Sequence, residues 1–193
     1  MEELRTLIKR KKVLIAAHRG VAGANIPCNT IPAFEIALQS GADILEMDLF
    51  KTLDGEIFIF HTGKEPFLLD RHIDLTRMTA EKVRKLRLVN VDFWETGQGL
   101  NTFDEVLEQF KGCCILNLDR CFGFLEEVVQ KVERHGMKEQ IFLKNAPNDE
   151  ALKKVEELVF ASEDAPIAQD SYVDDMHRKG KILWGNPPMG SYG

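Results

Sequence analysis

Short apolar runs rich in Val, Ile, Leu and Phe recur along the chain as VLIAA (13–17), ADILEMDLF (42–50), EIFIF (56–60), CCILNLD (113–119), QIFLK (140–144) and KILWGN (181–186). Most alternate with segments of helical period, clearest over 31–41, 79–88, 102–112, 122–136 and 148–159. Runs this apolar read as strands buried on both faces, with helices packed outside the sheet. Strand, helix, strand in repetition therefore predicts an α/β fold on a parallel sheet. Thr30 reads as the N-cap of the 31–41 helix and Gly41 as its stop. With 193 residues, 44% apolar and 29% charged, the chain can fill the core of one domain spanning 1–193. Two stretches disturb the alternation. The polar connections 62–78 and 89–101 mark a loop-rich insertion at about 62–101, long enough to carry a site. Near 157–160 a helical pattern runs into the strand-like LVF with no Gly, Pro or Asn to end it.

The formal net charge is −6 with acids spread along the sequence, which argues against a nucleic-acid partner, since phosphate backbones need clustered Lys and Arg. The basic cluster Lys9-Arg10-Lys11-Lys12 follows LRTLI and is expected to cap the end of a first helix. Cys28, Cys113, Cys114 and Cys121 lack zinc-type spacing and are expected to be reduced thiols. No apolar run approaches the ~20 residues of a spanning helix, so stable membrane insertion is not expected. The expected location is cytoplasmic for the chain as it stands, and exported or periplasmic if a signal has been removed.

Polar residues gather where apolar runs stop. His18 and Arg19 follow VLIAA in AAHRGVAGANIPCNT, at a strand's carboxyl end, where open α/β sheets and barrels keep their sites. Glu46 and Asp48 lie two apart in one strand, so both carboxylates face the same side. Such a pair is costly unless a cation, a proton or a basic side chain compensates it, and a divalent cation held by oxygen ligands accounts for it best. Asp119 ends CCILNLD and would supply a third oxygen; taken alone such a residue is more often a helix N-cap, and it joins the set through the company of Glu46 and Asp48. Asn117 shares its face. His61 follows EIFIF, and two strand-end imidazoles can act as base and acid. Arg19 suits a phosphate oxygen pair. His72, His135 and His177 are expected at the surface.

The motifs HRG (18–20), P-x-NT (27–30), A-F-x-x-A (33–37), GAD-x-x-E-x-D (41–48), T-x-DG (52–55) and His61 after an apolar strand resemble the glycerophosphodiester phosphodiesterase family. The resemblance is close over 13–61 and weaker through 119 and at the Trp184 strand. It implies a (β/α)8 TIM-type barrel with a small insertion after the third strand. It further implies that Glu46 and Asp48 bind a divalent metal, Mg2+ or Ca2+, with Asp119 where the strand-four ligand is commonly Glu. His18 and His61 become the acid/base pair, and Arg19, Lys144 and Trp184 the contacts to a small-molecule phosphodiester. The chain departs from the family's pattern at Cys28, where Glu usually precedes Asn-Thr, at Thr62, where Asp usually follows the second His, and at Cys121, where a Lys is common. Arg120 and Lys144 are the candidate replacements for that lysine.

The activity implied is metal-assisted hydrolysis of a glycerophosphodiester to glycerol phosphate and an alcohol. A phospholipase D-like lipid phosphodiesterase is the alternative, for which Phe67, Phe93 and Trp94 are the candidate apolar rim; a noncatalytic phosphate-binding barrel is another. A barrel of this kind takes ~250 residues. Six secure strands plus LVF therefore predict an incomplete barrel, lacking one βα unit of roughly 30–40 residues near 157–159 and truncated at its C-terminus.

Overall fold

The structure, a computed structural model, describes residues 4–11, 14–144, 150, 160–164, 174–175, 178 and 182–184. The chain divides into two compact units, Met1–Ile141 and Phe142–Gly193.

In the first unit, helix α1 (Leu4–Arg10) ends on Lys9 and Arg10, as expected. Lys11 then pairs with Asp43, which also accepts from the Ile15 N–H at 3.1 Å. Strand β1 (Ala16–His18) runs parallel to β2 (Ile44–Lys51), and β2 runs parallel to β4 (Ile115–Asp119). β2 is buried almost throughout, whereas β1, which among the described residues of this unit pairs with β2 alone, is partly exposed, and Ile15 just before it is exposed. Helix α2 (Ile31–Gln39) starts on Thr30, whose Oγ1 accepts from the Ala33 N–H, and Pro32 sits in its first turn. Its buried Ala33, Phe34 and Ala37 face the sheet, and Phe34 meets Phe110 of helix α5 (Phe103–Phe110) edge-to-face at 6.0 Å. Burying Phe34 alone is worth about 1.5–3 kcal/mol.

Strand β3 (Ile57–Ile59) differs from expectation: it pairs antiparallel with β2, Leu49 opposite Ile59 and Lys51 opposite Ile57. The five residues between β2 and β3 are too few for a parallel crossover. They form a turn in which Thr52 Oγ1 bonds Asp54 and the Glu56 N–H, and Gly55 takes φ 92°. The segment after β3 has its own core, with Leu69, Leu75, Val83, Leu86, Leu88 and Leu100 packed on Phe50, Phe58 and Phe60. The helix expected over 79–88 shrinks to α4 (Ala80–Val83), because the Leu88 backbone bonds Gln98 and Thr96 instead of continuing a helix. The short helix α3 (Glu65–Leu68) precedes it in this segment.

The expected helices over 102–112 and 122–136 are α5 and α6 (Leu125–His135). Thr102 and Glu105 form a capping box on α5, and Gly136 ends α6 in the left-handed conformation. His135, expected at the surface, is half-buried: its Nε2 lies 3.0 Å from Asp104 Oδ1, while Lys131 bonds Asp104 and Glu56. Burial pushes the Asp104 carboxyl up, but hydrogen bonds and charge from Lys131 and His135 outweigh it and hold the group below its ordinary range. A depressed carboxyl stabilises the fold above its unfolded pKa, and that stabilisation is lost as pH falls through the folded value. Asp104→Asn is therefore expected to cost about 1 kcal/mol or less at neutral pH, the difference vanishing in acid. Denaturation midpoints of both proteins across pH check this.

Gly20 has a specific reason to lack a side chain. Its φ is +78°, and a Cβ there would lie 2.7 Å from the Ala33 carbonyl carbon in the first turn of α2. Left-handed strain and overpacking together predict that Gly20→Ala costs roughly 2–4 kcal/mol. A thermal melt reads the loss, and an unchanged melt would refute it.

All four cysteines are free thiols. Burial pushes both Cys114 and Cys121 up to about 12, Cys113 adding to the first and the Asp119 charge to the second.

In the second unit, β5 (Ile141–Lys144) and β6 (Phe160–Asp164) pair in parallel, Phe142 opposite Phe160. β6 pairs in parallel with β7 (Ile182–Trp184). The gap expected at 157–159 lies outside the described residues, as do His177 and, apart from Glu150, the helix expected over 148–159.

Candidate active site

The carboxyl ends of β1, β2 and β4 stand side by side. Register sets His18 opposite Glu46, Glu46 opposite Asn117, and Asp48 opposite Asp119. The period of two turns residues 46, 48, 117 and 119 to one face while Leu45, Met47 and Leu118 fill the core. One carboxylate oxygen from each of Glu46, Asp48 and Asp119 lies within 4.8 Å of the others. Glu46 and Asp48 are buried and Asp119 is half-buried.

Backbone and side-chain bonds hold this cluster. The Arg19 N–H donates to both the Glu46 carbonyl and Glu46 Oε2, each at 3.0 Å. Arg19 Nε lies 2.8 Å from Asp48 Oδ2, a close ion pair whose N–H is not aligned on the oxygen. Asn29 clamps Asp48 from both ends: Nδ2 donates to Oδ2 at 2.9 Å, and Oδ1 accepts the Asp48 N–H at 3.3 Å. Asn29 is buried with φ 55°, and its own N–H donates to the Arg19 carbonyl at 3.0 Å. Asparagine tolerates that left-handed conformation better than most residues. The Asn in PCNT, just before a helix N-cap, was the available signal for this residue, which sequence reasoning did not single out. Cys28 beside it is half-buried, and burial raises its thiol above the ordinary value.

Two imidazoles border the carboxylates. His18 Nε2 lies 3.8 Å from Glu46 Oε2, with its side chain 68% exposed. His61 Nε2 lies 4.0 Å from Asp48 Oδ1, with its side chain 22% exposed. His61 Nδ1 is 3.0 Å from the Thr62 carbonyl oxygen. A carbonyl can only accept, so Nδ1 carries the proton, and Nε2 is the atom left to exchange one. Arg120, with φ 61°, donates its N–H to Asp119 Oδ1 at 2.8 Å and its guanidinium to Thr62 Oγ1 at 3.0 Å. Two positions where the chain departs from the family's pattern, or adjoins a departure, thus touch each other.

Of the residues singled out from sequence, His18, Arg19, Glu46, Asp48, His61 and Asp119 converge within the first unit. Lys144 and Trp184 have backbones in β5 and β7, but their side chains lie outside the described set. His72 is exposed, as expected. The donor set fits a hard divalent cation: three acceptor-only carboxylates converge, and among the described residues no His or Cys joins the cluster. Among the described residues, no helix is long and apolar enough to cross a membrane.

Known proteins resemble the chain in both sequence and structure. A glycerophosphodiester phosphodiesterase of Caldanaerobacter subterraneus subsp. tengcongensis is 36% identical over 106 residues, covering 50% of this chain and 40% of that protein. One from Bacillus altitudinis is 30% identical over 142 residues, covering 67% of this chain and 56% of that protein. The chain thus spans about half the length of the curated relatives it matches. The crystal structure of a glycerophosphoryl diester phosphodiesterase from Parabacteroides distasonis superimposes with a TM-score of 0.74 at 20% identity, covering 95% of this chain and 76% of that one. That likeness bears out the (β/α)8 TIM-type barrel class expected from sequence. The model of the glycerophosphoryl diester phosphodiesterase family matches residues 18–182, most of the chain, and the protein belongs to that family.

Proposed function

We propose that this chain carries the catalytic face of a metal-assisted phosphodiesterase that hydrolyses a glycerophosphodiester to glycerol phosphate and an alcohol. The observation that supports it most is the convergence of three carboxylates with an imidazole on either side. Glu46, Asp48 and Asp119 would hold Mg2+ or Ca2+, and Arg19 beside them holds the substrate phosphate. A bound cation supplies charge neutralisation at the phosphoryl oxygens and lowers the pKa of the attacking hydroxyl. His18 Nε2 takes the proton of a substrate hydroxyl adjacent to the diester as that oxygen attacks phosphorus. His61, protonated at Nε2, gives its proton to the departing alcohol. Water then opens the cyclic phosphodiester, with the two imidazoles exchanging roles. Buried Asn29 keeps the Asp48 carboxylate in place throughout.

Phe67, Phe93 and Trp94 stand 62%, 53% and 73% exposed. Asn90, in the loop that carries Phe93 and Trp94, bonds Asn25 in the loop that follows Arg19. This favours, as a second reading, a lipid diester whose glycerol carries an acyl chain. Turnover of glycerophosphocholine, glycerophosphoethanolamine, a lysophospholipid and a chromogenic diester, each with and without EDTA, separates the readings. Activity on the first two that EDTA abolishes supports the main one, and activity on the lysophospholipid alone supports the second. Phosphate binding without turnover of any diester refutes both.

A further inference from the structure

We propose that Glu65 is a positioning residue that sets the His61 ring through the Thr62–Gly63 peptide, an inference that rests on the role proposed above for His61. The strand after which His61 stands ends in a tight turn. The Lys64 N–H donates to the His61 carbonyl at 3.1 Å, and Gly63 takes φ 93°, the conformation a type II turn requires at its third residue. The Thr62 carbonyl and the Gly63 N–H belong to one planar peptide and point in opposite directions. The carbonyl accepts from His61 Nδ1 at 3.0 Å, while the N–H donates to Glu65 Oε2 at 2.6 Å. One rigid peptide therefore links a carboxylate to an imidazole.

Glu65 is only 4% exposed, a burial that glutamate rarely accepts without a partner. Its charge-assisted bond to Gly63 is of the strong class, and a carboxylate on the N–H end of a peptide polarises the carbonyl end into a better acceptor. A stronger acceptor at Nδ1 holds the ring in the Nδ1–H tautomer and turns Nε2 toward Asp48, where the chemistry is placed. The arrangement does for His61 what a carboxylate bonded directly to an imidazole does elsewhere, with a peptide between them. The anchor is rigid because the Leu69 N–H bonds the Glu65 carbonyl at 2.9 Å, and Leu69 is buried against Phe50, Phe58 and Phe60.

The test is the ring 15N spectrum of His61 in histidine-labelled protein without substrate, with His61→Ala as the blank, alongside steady-state turnover of glycerophosphocholine, whose leaving alcohol needs a proton. Wild type is expected to show the Nδ1–H tautomer. Glu65→Gln keeps an acceptor oxygen for Gly63 but loses the charge, and is expected to fall between wild type and Glu65→Ala in both readings. Glu65→Ala and Glu65→Asp, which removes or withdraws the carboxylate, are expected to shift part of the ring to the Nε2–H tautomer. They should also lower kcat by ~10- to ~100-fold, with KM changed by less than about threefold. An unshifted tautomer in both variants overturns the proposal, as does a shifted tautomer with unchanged kcat. If Glu65→Ala fails to fold, Glu65→Asp, which keeps the charge, decides alone. A wild type that turns over no diester overturns the proposed function, and the tautomer reading, which needs no substrate, still decides the case of Glu65.

Discussion

His61→Ala is expected to lower kcat for a glycerophosphodiester by ~10² to 10⁴, the usual worth of a general acid, and His18→Ala to do the same. Neither change is expected to unfold the protein. The His18 side chain is mostly exposed, and the His61 Nδ1 bond is made to the adjoining residue, so little packing depends on either ring. The two variants differ in how they treat the leaving group. An alcohol of high pKa needs a proton as it departs, whereas p-nitrophenolate does not. Loss of the acid should therefore be largely masked on a p-nitrophenyl diester, and loss of the base should not. His61→Ala is expected to recover most of its activity on that substrate while His18→Ala stays slow. The opposite pattern would exchange the two roles, and full activity of both variants on both substrates would remove the imidazoles from the mechanism.

Removal of divalent cation, or Glu46→Gln, is expected to lower turnover by a comparable factor of roughly 10² or more, because phosphoryl charge stabilisation of several kcal/mol would go with it. Binding can be read without activity. A ligand that binds the folded state alone stabilises it by about 2.7 kcal/mol at a hundred times its Kd. Mg2+ or Ca2+ should thus raise the melting temperature of wild type, and the cation with the larger effect at equal concentration is the better fit. Glu46→Gln leaves the shape of the cluster and takes away one of three negative charges, so the shift should shrink or vanish. Equal shifts in wild type and Glu46→Gln, with EDTA leaving turnover untouched, would refute the metal assignment.

The legible parts of this molecule are those set by local periodicity. Glu46 and Asp48 share a face because a strand alternates with a period of two, and no tertiary knowledge is needed to see it. Thr30, Thr102 and Gly136 announce helix ends because caps satisfy backbone groups within one turn. β3 was legible as a strand but not from periodicity as antiparallel. That direction follows from the Asp54-Gly55 turn, a hairpin signal that an expectation of uniform strand–helix alternation overrode. The shortening of the 79–88 helix had no local sign at all. Val83, Leu86 and Leu88 are buried by Phe50, Phe58 and Phe60 from an earlier part of the chain, and the Leu88 backbone spends its hydrogen bonds on a later loop.

The sequence by itself therefore determined the α/β class, the identity of the strand-end acids and imidazoles, and their order along the chain. Those follow from period, capping and side-chain chemistry, all readable within a few residues. Only the tertiary structure decided which strand ends become neighbours. Parallel register brings Asp48 opposite Asp119 across 71 positions of chain, since 119 − 48 = 71. It also decided that Asn29 clamps Asp48 and that Glu65 reaches His61 through a peptide. Such contacts depend on distances that a turn or a register shift changes completely, and a side chain's chemistry does not encode which distant backbone will come to meet it.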